Sequence, residues 1–243
     1  MEFALKEVVG LIPARGGSKG IPRKNLKVVA GLPLIAHTIR FALSCPQFTK
    51  IIVSTDDPEI AKVAQNFGAD VPFIRPAEIS GDQSPMVDVV SHAVKEIDNF
   101  NTNESCVVLL DPTSPVRTQE TLKAALGILD AKPDIDGVIS ISKPYFNPLW
   151  VGVGKDSQGI LSSLNLLNEK FTRRQDVPEY WRINGNFYLW RISVARELKM
   201  DYLAIGKYAS VETPEFSSLS IDSEEEINLL EALLMAKIVR MEY

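Results

Sequence analysis

Apolar residues gather along this chain in short unbroken runs, separated by longer stretches with helical spacing. Val8 to Pro13, Ile51 to Ser54, Val107 to Leu110 and Val138 to Ile141 are runs of mostly branched apolar side chains. Such runs suit strands buried on both faces of a mainly parallel sheet. Between them, Pro33 to Leu43, Pro58 to Phe67, Pro85 to Ile97 and Gln119 to Leu129 repeat apolar residues at spacings of three and four. These read as amphipathic helices, three of them opening at or beside a proline suited to a first helical turn. The alternation predicts right-handed βαβ units, and so an α/β fold with a Rossmann-like, mainly parallel sheet sandwiched by helices.

The regularity stops after Ser142. Residues 143–180 carry Asn147-Pro148, Gly152, Gly154 and Gly159 and then a charged run from Glu169 to Asp176. This pattern predicts an excursion, a lobe or dimerisation arm inserted into an α/β domain made of 1–142 and 181–243. The sheet resumes at Gly185 to Trp190, where NFYLW is aromatic and strand-like. From Ser223 to Met241 a last helix is expected. Ser223 and Glu226 fit a capping box, and Ile227, Leu230, Leu234 and Ile238 form an apolar stripe.

The 243 residues, 45% hydrophobic, suffice for one full core. A net charge of -5 argues against broad binding to nucleic acid or anionic membranes. Cys45 and Cys106 lie far apart among apolar neighbours and read as core thiols. No segment reaches the roughly 18 apolar residues of a membrane span, and the first residues do not form a leader, so a soluble cytoplasmic protein is expected.

Against this acidic background the stretch Leu11 to Asn25, LIPARGGSKGIPRKN, is a local exception. A predicted strand runs into a loop carrying Arg15, Lys19, Arg23 and Lys24 together with Gly16, Gly17 and Gly20. Glycines let a backbone approach an anion without Cβ obstruction, and cations neutralise it, so the loop can cradle a polyphosphate. The spacing is not that of a Walker A loop. A solvated basic turn after a first strand has the same composition. Ligands in open α/β sheets sit outside the C-terminal strand ends, where this loop, Asp56-Asp57, Arg75, Asp111 and the Gly185 region can converge.

The series LIPARGGSKGIPRKN, GLPLIAHTI, IIVSTDD, FIRPAEIS, LLDPTSPVR and RINGNFYLW resembles, in order and over nearly the whole chain, the cytidylyltransferases that activate nine-carbon keto-acid sugars, the CMP-sialic acid synthetase family. The resemblance implies a nucleotidyltransferase-type fold, a homodimer built through the excursion, and Mg²⁺ as cofactor. The reaction it implies transfers CMP from CTP to the anomeric hydroxyl of a nonulosonic acid and releases pyrophosphate. By the family pattern Arg15 and Lys19 are catalytic, while Ala14, Gly16, Gly17, Ser18, Lys24, Asn25 and Arg75 bind the nucleotide. Arg174, Arg182 and Asn184 match positions around the sugar, where arginine can hold a carboxylate.

Asp222 matches the second aspartate of the family's Asp-Ile-Asp motif and is the implied metal ligand and third catalytic residue. Ser220 replaces the first aspartate. Asp111 stands where sialate enzymes carry glutamine, and it can either supply the missing carboxylate to the metal or bind sugar hydroxyls. Asp222 can also be read as a helix cap, a place Ser223 already fills. DPTSP, the RRQD run and Trp150 look more similar to a legionaminate branch.

Two other functions fit the same residues. One is a catalytically weak nucleotide-binding regulatory protein, which Ser220 would favour. The other is a different sugar nucleotidyltransferase, such as one for the eight-carbon sugar of lipopolysaccharide core, whose Arg-Leu-Pro loop and Gln-Gly-Asp-Glu-Pro block are replaced here by GGSKG and LDPTSP. His37 and His92 sit in helical patterns far from other ligating residues and read as structural, as do Trp181, Tyr188 and Trp190.

Overall fold

The computed structural model describes residues 5–97, 104–164 and 171–243. Strand β1 (Glu7–Pro13) leads through the first loop to a small hairpin, β2 (Val28–Val29) and β3 (Leu32–Pro33). Helix α1 (Leu34–Ser44), β4 (Lys50–Ser54), α2 (Pro58–Asn66), α3 (Met86–Glu96), β5 (Ser105–Leu109), α4 (Gln119–Ala131) and β6 (Gly137–Ser142) follow. The excursion holds α5 (Pro148–Val151) and an antiparallel pair, β7 (Val153–Lys155) with β8 (Leu161–Ser163). The chain then returns as β9 (Arg182–Arg191), α6 (Ile192–Ala195), α7 (Tyr202–Ile205), β10 (Tyr208–Glu212) and α8 (Glu224–Met235).

Six strands form one sheet in the order β10-β6-β9-β5-β1-β4. β1 runs parallel to β4 and β5, and β10 parallel to β6, while β9 is antiparallel to both β5 and β6. The sheet is therefore mixed and mainly parallel, as expected, with its one reversed strand at the NFYLW run. Alternate side chains of β1 serve opposite faces, the period-two rule of a strand buried on both sides. Val8 and Ile12 pack with α1, α2 and α4 through Ile39, Ile60 and Leu126. Val9 and Leu11 pack with α3 and α6 through Val90, Val94 and Ile192.

A third apolar cluster positions the site. Ile227, Leu230 and Leu233 of α8 pack with Ile21 of the first loop, Val116 after β5 and Ile221 before α8. One small core thus holds together three segments distant in sequence.

The expected helices stand close to their predicted bounds, α2 capped by Asp57 and α4 by Thr118. The last one ends early. Its capping box at Ser223 and Glu226 is present, but α8 stops at Met235 and the chain turns at Lys237, whose φ is 56°. Leu233 takes the buried place expected of Leu234, which is only partly buried, and Val239 is buried where Ile238 is exposed. Glu169 and Lys170 of the charged run lie outside the described residues.

Candidate active site

β1 lies between β5 and the edge strand β4, and the chain turns into the first loop at its C-terminal end. Ala14 N donates to Ser54 O at 2.9 Å, fixing the start of the loop to β4. Ser18 Oγ donates to Ile21 O at 2.7 Å, and Asn25 Nδ2 to Arg15 O at 3.0 Å, so the loop is closed by its own side chains. Its three glycines do different things. A Cβ on Gly16 would meet Asp57 Oδ2 at 2.7 Å, and one on Gly20 would clash with the backbone oxygen of Asp222. Their bareness serves close protein packing, whereas Gly17 faces open space and is the one an anion can approach.

The loop forms one wall of a cleft of about 540 Å³, lined also by Arg75, the 79–86 stretch, Asp111, Thr113, Ser220 and Asp222. Of the expected nucleotide and catalytic positions, Arg15, Gly17, Ser18, Lys19, Lys24, Asn25, Arg75 and Asp222 meet here. Ala14 and Gly16 lie behind the lining: Ala14 is buried, and Gly16 N donates to Asp56 Oδ1 at 3.0 Å. Asn25 is 7% exposed and commits one of its two amide N–H donors to the loop, at the edge of the cleft that it lines. Arg23 adopts φ 52° and points to Asp57 and Glu59 at 3.2 and 2.9 Å, on the flank outside the cleft.

The cations of the cleft are held in two ways. Arg15 Nη1 lies 2.5 Å from Asp82 Oδ1, and Lys19 Nζ lies 3.2 Å from Asp82 Oδ2. Those hydrogen bonds hold the Asp82 carboxyl below the usual carboxylate range. Arg75, by contrast, is 4% exposed, and its Nε and Nη2 have no hydrogen-bond partner. The Asp56 carboxylate is 3.6 Å away, close enough for charge attraction but beyond a hydrogen bond. Burial lowers the Arg75 pKa, and Asp56 opposes it. A buried guanidinium with free donors beside a cleft is a ready acceptor site for an anion.

Asp222 and Asp111 bring carboxylates to the same cleft. Asp222 Oδ1 accepts from Lys24 Nζ at 2.7 Å, and Oδ2 accepts from Ser220 Oγ at 2.9 Å. Burial works against charge on Asp222, but Lys24 and the Ser220 hydroxyl outweigh it and hold the carboxyl low. Asp222 is not the helix cap, because Ser223 Oγ accepts from Glu226 N and the Glu226 carboxylate accepts from the backbone N–H of both Asp222 and Ser223. Asp111, which also lines the cleft, accepts at Oδ1 from Thr113 N and Oγ1 at 3.0 and 2.9 Å, an Asx-type turn.

Three sugar-side expectations stand elsewhere. Arg182 Nε bonds Glu215 at 3.0 Å and its Nη2 bonds Ser218 O at 3.0 Å. Asn184 is 4% exposed, donating to Thr213 Oγ1 and Ser218 Oγ and accepting from Ser140 Oγ and Asn186 N. Arg174 is exposed in a short turn of the excursion. None of the three lines the cleft with the loop.

Two residues were not anticipated. Asp82 gives no local signal, since its partners are far along the chain. Arg117 is 1% exposed and holds the DPTSP turn from beneath, donating to Asp111 O at 2.6 Å, Asn186 O at 2.8 Å and Thr38 Oγ1 at 3.2 Å. Burial brings its pKa down to about 9. His37 is structural as expected, bonded to Val29 O and the Tyr243 hydroxyl.

A mixed sheet with helices on both faces, and at its strand ends a basic glycine loop facing carboxylates, defines a nucleotidyltransferase-type α/β protein. More narrowly, the chain belongs to the cytidylyltransferase family, whose model matches residues 9–233. It is 37% identical over 182 residues to the CMP-N,N'-diacetyllegionaminic acid synthase of Legionella pneumophila, covering 75% of this chain and 77% of that protein. The CMP-N,N'-diacetyllegionaminic acid synthase of Campylobacter jejuni is 30% identical, over 96% of this chain and 97% of its own. In fold, the chain matches a CMP:2-keto-3-deoxy-manno-octonic acid synthetase solved in complex with CTP, with a TM-score of 0.73 at 18% identity, over 96% of this chain and all of that one.

Proposed function

We propose that this cytidylyltransferase transfers CMP from CTP to the anomeric hydroxyl of a nonulosonic acid of the legionaminic type. The anomeric oxygen forms a bond to the α-phosphorus and gives up its proton, the bond from that phosphorus to the β-phosphate oxygen breaks, and pyrophosphate departs. The observation that carries the reading is the cleft itself: Arg15, Lys19 and the buried Arg75 guanidinium line it together with Asp222 and Asp111.

Negative charge grows on the leaving pyrophosphate during such a transfer. Cations fixed in place stabilise that charge without having to reorganise. In this proposal Arg15 and Lys19 take the β- and γ-phosphates, Gly17 and Ser18 lend backbone and hydroxyl contacts, and Arg75 holds the nucleotide from beneath. Asn25 presents its amide oxygen, and Lys24 links the loop to Asp222.

Two carboxylates and no nitrogen or sulfur ligand make a donor set that suits Mg²⁺, which prefers oxygen and completes its shell with phosphate and water. Asp222 and Asp111 would hold the ion, which when bound supplies neutralising charge at the phosphates. The low pKa of Asp222 keeps it ionised for that task.

Arg174 is the exposed arginine left for the sugar carboxylate, while Arg182 and Asn184 would act by shaping the sheet end behind the site. A homodimer belongs to the same reading. Tyr145, Phe146, Val151 and Leu161 of the excursion are all more than half exposed, and such apolar area favours burial against a second copy. The test is a pyrophosphate-release assay with CTP, Mg²⁺ and sialic, legionaminic and pseudaminic acids. Turnover with legionaminic acid is expected, and no release with any of the three would refute the proposal.

A further inference from the structure

We propose that Asp82 is an internal counter-anion of the phosphate loop. It occupies Arg15 and Lys19 when no nucleotide is bound, yields them to the polyphosphate, and returns to them as pyrophosphate leaves. The inference rests on the nucleotide reading of the cleft above. Asp82 lies between Ile79 and α3 and lines the cleft together with the loop. Each of its oxygens takes a different loop cation, at 2.5 and 3.2 Å.

The carboxylate does not knit the fold together. The turn is closed by its own backbone, Ser84 N donating to Gly81 O at 3.2 Å. Among the described residues the Asp82 side chain has no partner besides the two cations. A polyphosphate and this carboxylate therefore compete for the same two groups.

The competition is uneven in a useful direction. CTP brings base and ribose contacts as well as phosphates, so it can displace an exposed ion pair. Pyrophosphate after transfer keeps only the phosphate contacts. A carboxylate tethered nearby acts at a high effective concentration and regains the cations more readily from that smaller ligand. Re-forming the pairs offsets part of what the loop loses when the product departs, and product release commonly limits turnover in enzymes.

Asp82→Asn keeps the shape and removes the charge. Calorimetry with Mg²⁺ present is expected to show CTP and inorganic pyrophosphate binding about fivefold more tightly, the scale of a small exposed ion-pair network, with CMP unchanged. Inhibition of turnover by pyrophosphate should strengthen by a similar factor. Asp88→Asn, an exposed carboxylate of α3 outside the cleft, controls for general charge and should leave all three affinities alone. Asp82→Ser gives a second reading if the asparagine variant is poorly folded.

Unchanged or weaker pyrophosphate binding in the Asp82 variants overturns the proposal, as does an equal gain in Asp88→Asn. Wild-type protein that binds neither CTP nor pyrophosphate overturns it together with the nucleotide reading. Wild-type binding with unresponsive Asp82 variants removes this inference alone.

Discussion

Lys24 Nζ lies 2.7 Å from Asp222 Oδ1, tying the end of the first loop to the residue that precedes the last helix. The pair joins residues 198 apart in sequence, and the apolar cluster of Ile21, Ile221 and Leu230 directly behind it sets their separation. The same contact that orders the cleft also tunes its acid.

A pH prediction follows from that contact. Burial alone would raise the Asp222 pKa, and the Lys24 hydrogen bond and charge, with Ser220, bring it below its ordinary value. A depressed carboxyl is ionised above its pKa and loses its charge as pH falls through it. If ionised Asp222 is needed for transfer, the acid limb of the pH–rate profile belongs to it. Lys24→Met removes the stabilising partner, so the limb should move to higher pH. The kcat/KM profile and a carboxyl NMR titration of Asp222 should shift together; a limb that stays in place would take Asp222 out of the rate-determining ionisation.

Arg75 sets binding against stability. Its buried guanidinium has two nitrogens without a hydrogen bond and only a 3.6 Å ion pair with Asp56 to offset its desolvation, a costly arrangement in the empty fold. Arg75→Met should therefore leave the thermal midpoint of the ligand-free protein unchanged or raised. CTP affinity should fall at least tenfold, as loss of charge-assisted hydrogen bonds worth about 1.5–3 kcal/mol implies. Calorimetry and thermal melts on one preparation check both halves. A lower midpoint with normal CTP affinity would make Arg75 a structural residue.

The loop glycines are separable by a single methyl group. Gly20→Ala places Cβ against Asp222 O, a backbone atom that cannot turn aside, so the loop and the segment before α8 must part. A loss of about 1–3 kcal/mol is expected, as for other overpacked sites, with reduced turnover because Lys24 and Asp222 separate as well. Gly17→Ala meets open space and should stay within about 0.5 kcal/mol of wild type. Denaturant unfolding of the two variants decides it, and equal losses would count against the packing explanation.

What could be read from the chain depended on how burial writes itself into sequence. β1, β4, β5 and β6 are apolar runs because both of their faces are covered, and α1 to α4 carry prolines or caps at their first turns. β10 gave no such signal: as an edge strand it fully buries only Val211 in YASVE. The reversed direction of β9 was illegible for another reason, since alternation is the same whichever way a strand runs. Ile238 continued a helical spacing past the point where Lys237 turns the backbone, with no glycine to mark the stop. In the site, residues within the first loop could be grouped by proximity. Asp82 and Arg117 could not, because each acquires its role only when the fold brings distant segments together.

Asn184 offers a choice between shaping the fold and binding sugar. Its carboxamide sits in a closed network in which Nδ2 donates to Thr213 Oγ1 at 2.6 Å and Ser218 Oγ at 3.0 Å, while Oδ1 accepts from Ser140 Oγ at 2.7 Å. Ser140 Oγ in turn accepts from Phe187 N at 2.8 Å, so the network ties β9 to β6 near the bulge between Ile139 and Ile141. Asn184→Ala strands several buried hydroxyls, and leaving such groups unpaired costs about 1–3 kcal/mol. A stability loss of that size is expected, with the KM for CTP unchanged and the KM for sugar altered only as far as the sheet end deforms. Asn184→Asp should fare no better, because the acceptor that replaces Nδ2 cannot donate to Thr213 or Ser218. Unfolding curves and steady-state kinetics on both variants separate the roles. A sugar KM raised tenfold at full stability would mean that the amide contacts substrate directly, and that its bonds to Thr213 and Ser218 give way when the sugar arrives.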